Sequence, residues 1–284
     1  MFSDVLLTAD FDRTLTAPDS TIPERNLEAI RFFMANGGVF TMNTGRSTNT
    51  FRRYFDVIPV NAPFLLYNGS AAYENGKLSQ IHPIDLDLWQ TMDELRRLFP
   101  ELNLEVQGEK NHYLVDATAD YEAFYDGVDW LHEPAARDKD MGPFLKFSLF
   151  GKVTEPTMAH LFSGTAEELA LIDRAEETIR QLYGDKVEVF RAAPRIIDVH
   201  AKGVSKIRAA RELQAKLGRK ILVCVGDAEN DLTMLEGADY AFCPADGVVA
   251  DRFPNVCPCA DGAVADVIYK KIPEILGISL DIVG

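Results

Sequence analysis

Short apolar runs at 5–9, 39–42, 64–67 and 221–225 alternate with stretches of helical periodicity, and several of the runs end in a dense polar cluster. Nothing else in the chain constrains its fold as tightly. Continuous apolar runs of four or five residues fit strands buried on both faces, and strands alternating with helices fold into a doubly wound, mostly parallel α/β sheet. Helical patterns are expected at 23–35 and at 204–217, the second with Ile207, Ala210, Leu213 and Leu217 inward and Gly218 as its stop. A further short strand at 240–242 and a closing helix from Val264 complete this texture.

From about Pro83 to Arg191 the pattern differs. Leu88, Met92, Leu95 and Phe99 recur at helical spacing, as do Ile172, Ala175, Ile179 and Leu182. Between them, 104–115 reads as a hairpin around Gly108-Glu109-Lys110. Leu145, Phe147 and Leu149 alternate with Lys146 and Ser148 as in a half-exposed strand. The expected organisation is therefore a core of 1–82 and 192–284, interrupted by an inserted α+β cap at 83–191 that would select the substrate.

With 284 residues the chain accommodates two modest domains, and 47% hydrophobic residues suffice for a sizeable core. Its net charge of −15 repels phosphate backbones and anionic headgroups, so neither nucleic acid nor a membrane surface is an expected partner. The N-terminus, with Asp4 and no basic flank, does not read as a signal peptide, and no apolar stretch approaches bilayer length. Cys224, Cys243, Cys257 and Cys259 form no CxxC pair, which fits free thiols in a reducing cytoplasm.

Three polar clusters follow expected parallel strands: Asp10-Phe11-Asp12-Arg13-Thr14, Thr44-Gly45-Arg46, and Gly226-Asp227-Ala228-Glu229-Asn230-Asp231. In open α/β sheets that edge binds ligands. Four carboxylates, Asp10, Asp12, Asp227 and Asp231, would converge there and repel one another unless a hard divalent cation with oxygen ligands joined them. Each cluster alone would pass for a solvated turn. Their joint occurrence, each after a strand, makes the case for a metal site. Asp227-x-Glu229-x-Asp231 is not a calcium loop, since Leu232 stands where Gly is needed.

The chain resembles the haloacid dehalogenase (HAD) superfamily, in its Cof-type branch of sugar-phosphatase-like hydrolases, over essentially its whole length. Asp10-Phe11-Asp12-Arg13-Thr14-Leu15 is similar to the DxDGT motif, Thr44-Gly45-Arg46 to the second motif, Gly203-Val204-Ser205-Lys206 to the stretch that carries the lysine, and Gly226-Asp227 through Asn230-Asp231 to GDxxND. Asn68-Gly69 is similar to a pair common after the third strand. The resemblance implies a HAD-like Rossmannoid core and Mg2+-dependent hydrolysis of a small phosphorylated metabolite through an aspartyl-phosphate. Asp10 would be nucleophile and metal ligand, and Asp12 the general acid/base and, through its backbone carbonyl, a ligand as well. Thr44, Gly45, Lys206 and Asn230 would bind phosphate, and Asp227 and Asp231 would complete the metal set. A phosphotransferase or phosphomutase of the same superfamily is the alternative, followed by a catalytically silent ligand-binding member. Arg13 departs from the pattern, standing where the family usually has Gly. Lys206 is preferred to nearby Lys202 as the motif lysine. His112, Trp130, His132 and Arg191 are candidates for substrate contact in the cap, though such residues more often serve core or surface.

Overall fold

A computed structural model describes residues 1–153, 161 and 163–280. In chain order its strands are β1 (Val5–Ala9), β2 (Val39–Met42), β3 (Phe64–Leu66), β4 (Ala71–Glu74), β5 (Lys77–Ser79), β6 (Asn103–Gly108), β7 (His112–Val115), β8 (His132–Pro134), β9 (Phe144–Phe150), β10 (Val187–Ala193), β11 (Ile196–Ala201), β12 (Ile221–Val225), β13 (Tyr240–Pro244) and β14 (Asn255–Val256). The helices are α1 (Glu24–Ala35), α2 (Thr48–Phe51), α3 (Leu88–Leu98), α4 (Ala119–Gly127), α5 (Ala166–Tyr183), α6 (Lys206–Lys216), α7 (Leu232–Glu236), α8 (Ala263–Asp266) and α9 (Ile272–Leu276). No helix among the described residues is long and apolar enough to cross a membrane.

The chain divides into two compact units. The first comprises Met1–Thr44, Arg53–Lys77 and Ser205–Gly284. Its five-stranded sheet has the order β14-β13-β12-β1-β2, and each pairing is parallel. β1 lies between β12 and β2, and every residue of it is buried. Alternation along the strand sends Leu6 and Thr8 to one face and Val5, Leu7 and Ala9 to the other, so both faces are covered, as the unbroken apolar run requires. On the Leu6 face, Leu222 and Cys224 pack with Ala210 and Leu213 of α6 and Met234 and Leu235 of α7. α1 packs against α8, with Asn26 on α1 bonding the Leu15 carbonyl and the Ala265 amide, each at 2.9 Å. β3, β4 and β5 form a small separate sheet.

The second unit comprises Gly45–Arg52 and Leu78–Val204. Its six-stranded sheet, ordered β10-β11-β9-β6-β7-β8, is antiparallel apart from the β7–β8 pair. One face carries Leu104, Val106, Phe147, Leu149, Ile197 and Val199, which pack with Met92 and Leu95 of α3 and Ile172, Ala175 and Ile179 of α5. Two differences from the sequence expectations stand out. The expected boundary at Arg191 falls inside β10, and β11, assigned beforehand to the core, pairs with β9 and β10 instead. A short strand such as Ile196–Ala201, in which Asp198 and His200 alternate with apolar residues, carries no local mark of which sheet it will join, because the β9 strand it pairs with lies about fifty positions away. Lys146 and Ser148, expected on a half-exposed strand face, are buried at 6% and 0% exposure, so that face is polar without being solvated.

Candidate active site

β1 delivers Asp10 at its carboxyl end, where the Asp10 amide still donates to the Val225 carbonyl of β12 at 2.9 Å. The chain then turns through 11–15. Arg13 adopts φ 57°, ψ 12°, a left-handed conformation that favours glycine, and its amide donates to Thr16 Oγ1 at 3.1 Å. This turn directs the buried Thr14 hydroxyl to Asp227 Oδ1 at 3.0 Å.

Asp227 follows β12, and Asp231 folds back beside it, accepting from the amides of Asp227 and Ala228 at 3.0 and 3.1 Å. The approach is close: a Cβ on Gly226 would lie 2.6 Å from Asp231 Cγ, so the glycine before Asp227 is a steric requirement. Lys206 opens α6, capped by Ser205, whose hydroxyl accepts from the Arg208 amide at 3.2 Å. Its ammonium lies 2.5 Å from Asp10 Oδ1 and 2.6 Å from Asp231 Oδ1. Thr44 stands two residues beyond β2, buried, with its amide on the Leu65 carbonyl at 3.0 Å and its carbonyl accepting from the Asn68 amide at 2.9 Å. Asn43 ties the same strand end to the Lys206 carbonyl at 2.8 Å.

Ligand atoms of Asp10, Asp227 and Asp231 all lie within 4.8 Å of one another, and all three residues are buried. Burial, reinforced by the neighbouring carboxylates, pushes the Asp10 and Asp227 carboxyls well above their ordinary range. Lys206 is held protonated: burial alone would discharge it, but Asp10 and Asp231 outweigh that effect. One ammonium against three carboxylates leaves a deficit of two positive charges, and the donors are all oxygen. Those are the requirements of a hard divalent cation, so the residues present fit one.

Residues 7–250 match the sequence profile of the haloacid dehalogenase-like hydrolases. The chain belongs to this family. It is an enzyme of the phosphatase type. It is 24% identical to the 5-amino-6-(5-phospho-D-ribitylamino)uracil phosphatase YitU of Bacillus subtilis over 258 residues, covering 86% of this chain and 88% of that one. Among solved structures, SMU.1108c from Streptococcus mutans superimposes with a TM-score of 0.79 at 16% identity, covering 96% of this chain and 99% of the other. The HAD subclass IIB sugar phosphatase BT4131 gives a TM-score of 0.73 at 18% identity, covering 96% and 98%. Both share the fold.

In this HAD-type hydrolase the structure gathers Asp10, Asp227, Asp231 and Lys206 into one contact network. Asp12 stands two residues beyond Asp10, half-buried and outside the three-carboxylate group, yet close enough for its charge to raise the Asp10 carboxyl. Asn230 lies in the short turn Glu229–Asp231, also half-buried. Gly45 groups with the second unit, whereas Thr44 belongs to the first. Lys202 is exposed and bonded to the Gly184 carbonyl and Glu188.

Of the candidate contact residues, Arg191 is engaged by Asp173 and Glu176, and Trp130 and His132 pack edge-on against Tyr125. His112 is buried against Ser47. Thr14 and Asn43 bond within the site without being among the residues the motifs assign to it. Thr14 lies inside the first motif, where a hydroxyl near a carboxylate was a usable signal. Asn43 carried none, since its partner is 163 positions away.

Proposed function

We propose that the protein hydrolyses a small phosphorylated metabolite, a sugar phosphate in the first instance, through an aspartyl-phosphate on Asp10 with Mg2+ as cofactor. The observation that carries this is the buried Asp10 carboxylate at the carboxyl end of β1, 2.5 Å from the Lys206 ammonium and clustered with Asp227 and Asp231. An Asp10 oxygen attacks phosphorus, the bond from phosphorus to the substrate oxygen breaks, and Asp12 gives its proton to the departing alkoxide. Asp12 then takes a proton from water as that water attacks phosphorus, which releases inorganic phosphate and restores the Asp10 carboxylate. Lys206 sets positive charge against the transferring oxygens, while Thr44, the Gly45 backbone and Asn230 orient them. Mg2+, held by Asp10, Asp227, Asp231 and the Asp12 carbonyl, would neutralise charge on the phosphoryl group. The inserted unit is the substrate-selecting part of this reading. The four cysteines are free thiols, which suits a cytoplasmic setting.

Phosphate release from a panel of phosphorylated metabolites, with Mg2+ and with EDTA, tests the proposal. Turnover is expected to need the metal and to fall by roughly 10³-fold or more in Asp10→Asn, as removal of a nucleophile does, with the thermal transition retained. Substantial turnover in a folded Asp10→Asn protein would sink the mechanism.

A further inference from the structure

The proposed chemistry gives Arg13 no part, although it stands between Asp12 and Thr14, whose hydroxyl bonds Asp227 Oδ1 at 3.0 Å. Its backbone is committed: φ 57° places it in the left-handed region, and its amide donates to Thr16 Oγ1 at 3.1 Å. Its side chain is not. Arg25, Arg31, Arg208, Arg211 and Arg252, also of the first unit, each reach a carboxylate at 3.1 Å or less. Arg13 is exposed, and its guanidinium makes no hydrogen bond or ion pair among the described residues.

All the groups around this cation belong to the first unit. β13, β12 and β1 are neighbouring parallel strands, so Asp246, Asp227 and Asp10 follow the carboxyl ends of adjacent strands, and Arg13 lies just beyond Asp10. The loop after β13 is tied to the next strand end, where the Val249 amide donates to the Asp227 carbonyl at 3.1 Å. Asp246 accepts from the Cys259 amide at 2.9 Å and from its thiol at 3.2 Å, so both carboxylate oxygens are occupied without Arg13. Burial favours the neutral form of Asp246, but the Cys259 bonds hold its carboxyl below the ordinary value, and the Arg13 charge acts in the same direction. The guanidinium therefore shares one sheet edge with the acids while pairing with none of them.

A long side chain at a left-handed position costs strain that glycine would avoid, and such strain persists chiefly where the residue has a task. We propose that Arg13 is a specificity-determining residue: its guanidinium receives a second anionic group of the substrate, a carboxylate or a further phosphate, beside the phosphoryl group that Asp10 attacks. The planar guanidinium suits either anion through paired N–H donors. Without that cation, Asp10, Asp12, Asp227 and Asp246 would repel a second anion held next to them. A substrate with no second charge gains nothing from it. The inference rests on the phosphatase reading and narrows its substrates to metabolites with two anionic groups.

The test compares kcat/KM of the full-length protein within matched pairs. Glucose and gluconate, each phosphorylated on the terminal carbon, form the carboxylate arm; fructose monophosphate and bisphosphate form the phosphate arm. The readout is the preference within a pair, which a general loss of stability would leave unchanged. The wild type is expected to prefer the doubly anionic member of at least one pair by about tenfold or more, the worth of one charge-assisted contact, and the arm that responds names the anion. Arg13→Gln is expected to abolish this preference and Arg13→Lys to keep part of it. Arg13→Gly, which also relieves the backbone, is expected to match Arg13→Gln. Equal use of both members by the wild type, or a preference that survives in Arg13→Gln, overturns this inference alone. No phosphate release from any member of a wider metabolite panel overturns the phosphatase reading itself.

Discussion

Lys206 Nζ is shared between Asp10 and Asp231, and its side chain has no exposure at all. Removing one member of such a buried pair leaves the other charge uncompensated, at about 3–5 kcal/mol. Lys206→Met is therefore expected to lower unfolding stability by that order in EDTA, with a divalent cation recovering much of the loss. Denaturant titrations with and without Mg2+ decide it, and equal losses under both conditions would contradict the charge argument. Arg13 makes an opposite case. A non-glycine residue held at φ 57° stores strain on the order of 1 kcal/mol or more, so Arg13→Gly is expected to stabilise the protein by up to about 1 kcal/mol after glycine's greater unfolded-state freedom is subtracted. A drop in the denaturation midpoint would mean that Arg13 makes compensating contacts. At this scale the sequence was most informative: Asp10, Asp227, Asp231 and Lys206 each lie within a few residues of a strand or helix end, and their side chains lie together in one network. The partnership of Asn43 with Lys206 was not legible, since a lone asparagine after a strand has no local signature.

Among the elements, α6 is set in place from outside itself. Gly69, at φ +94°, comes so near the start of this helix that a Cβ would lie 2.6 Å from the Ser205 carbonyl oxygen and 2.9 Å from Ala209 Cβ. Gly69→Ala adds both backbone strain and a clash with main chain, so a stability loss of about 1–3 kcal/mol is expected. Because Lys206 is the first residue of that helix, kcat is expected to fall as well; circular dichroism melts and phosphate release measure the two effects. A variant that melts later than wild type would show that the loop at 67–69 relaxes freely. Periodicity located α1, α3, α5, α6 and the strands β1, β2 and β12 within a few residues, since each is long or strongly patterned. β9 was legible as a strand but not in its environment: alternation shows that Lys146 and Ser148 share a face, and only the partners on β6 and β11 show that the face is buried.

For the molecule as a whole, the two units contribute to pH dependence from opposite sides. In the first unit the Asp10 and Asp227 carboxyls are pushed above their ordinary value of 3.8, chiefly by burial. The unfolded chain then releases protons before the folded one, and metal-free stability falls as pH rises through neutrality. Cation binding needs those carboxylates ionised, so the gain in Tm from Mg2+ over EDTA is expected to grow from pH 6 to 8.5. A gain that stayed flat over that range would refute the assignment. In the second unit burial, aided by Lys146, depresses His200 from 6.5 to about 3. Its contribution is complete above 6.5 and is lost as pH falls toward 3, so His200→Gln is expected to flatten the acid-side decline in Tm. The sequence by itself determined the doubly wound class, the insertion of an α+β unit and the identity of the acidic and basic groups, because these depend on local pattern and on motifs a few residues long. Only the tertiary structure decided that β11 joins the inserted sheet, that the 45–52 segment is held there, and that the polar face around Lys146 is buried, because pairing and burial are set by partners tens of positions away, 52 for Lys146–Asp198, 65 for Ser47–His112 and 101 for Lys146–Gly45.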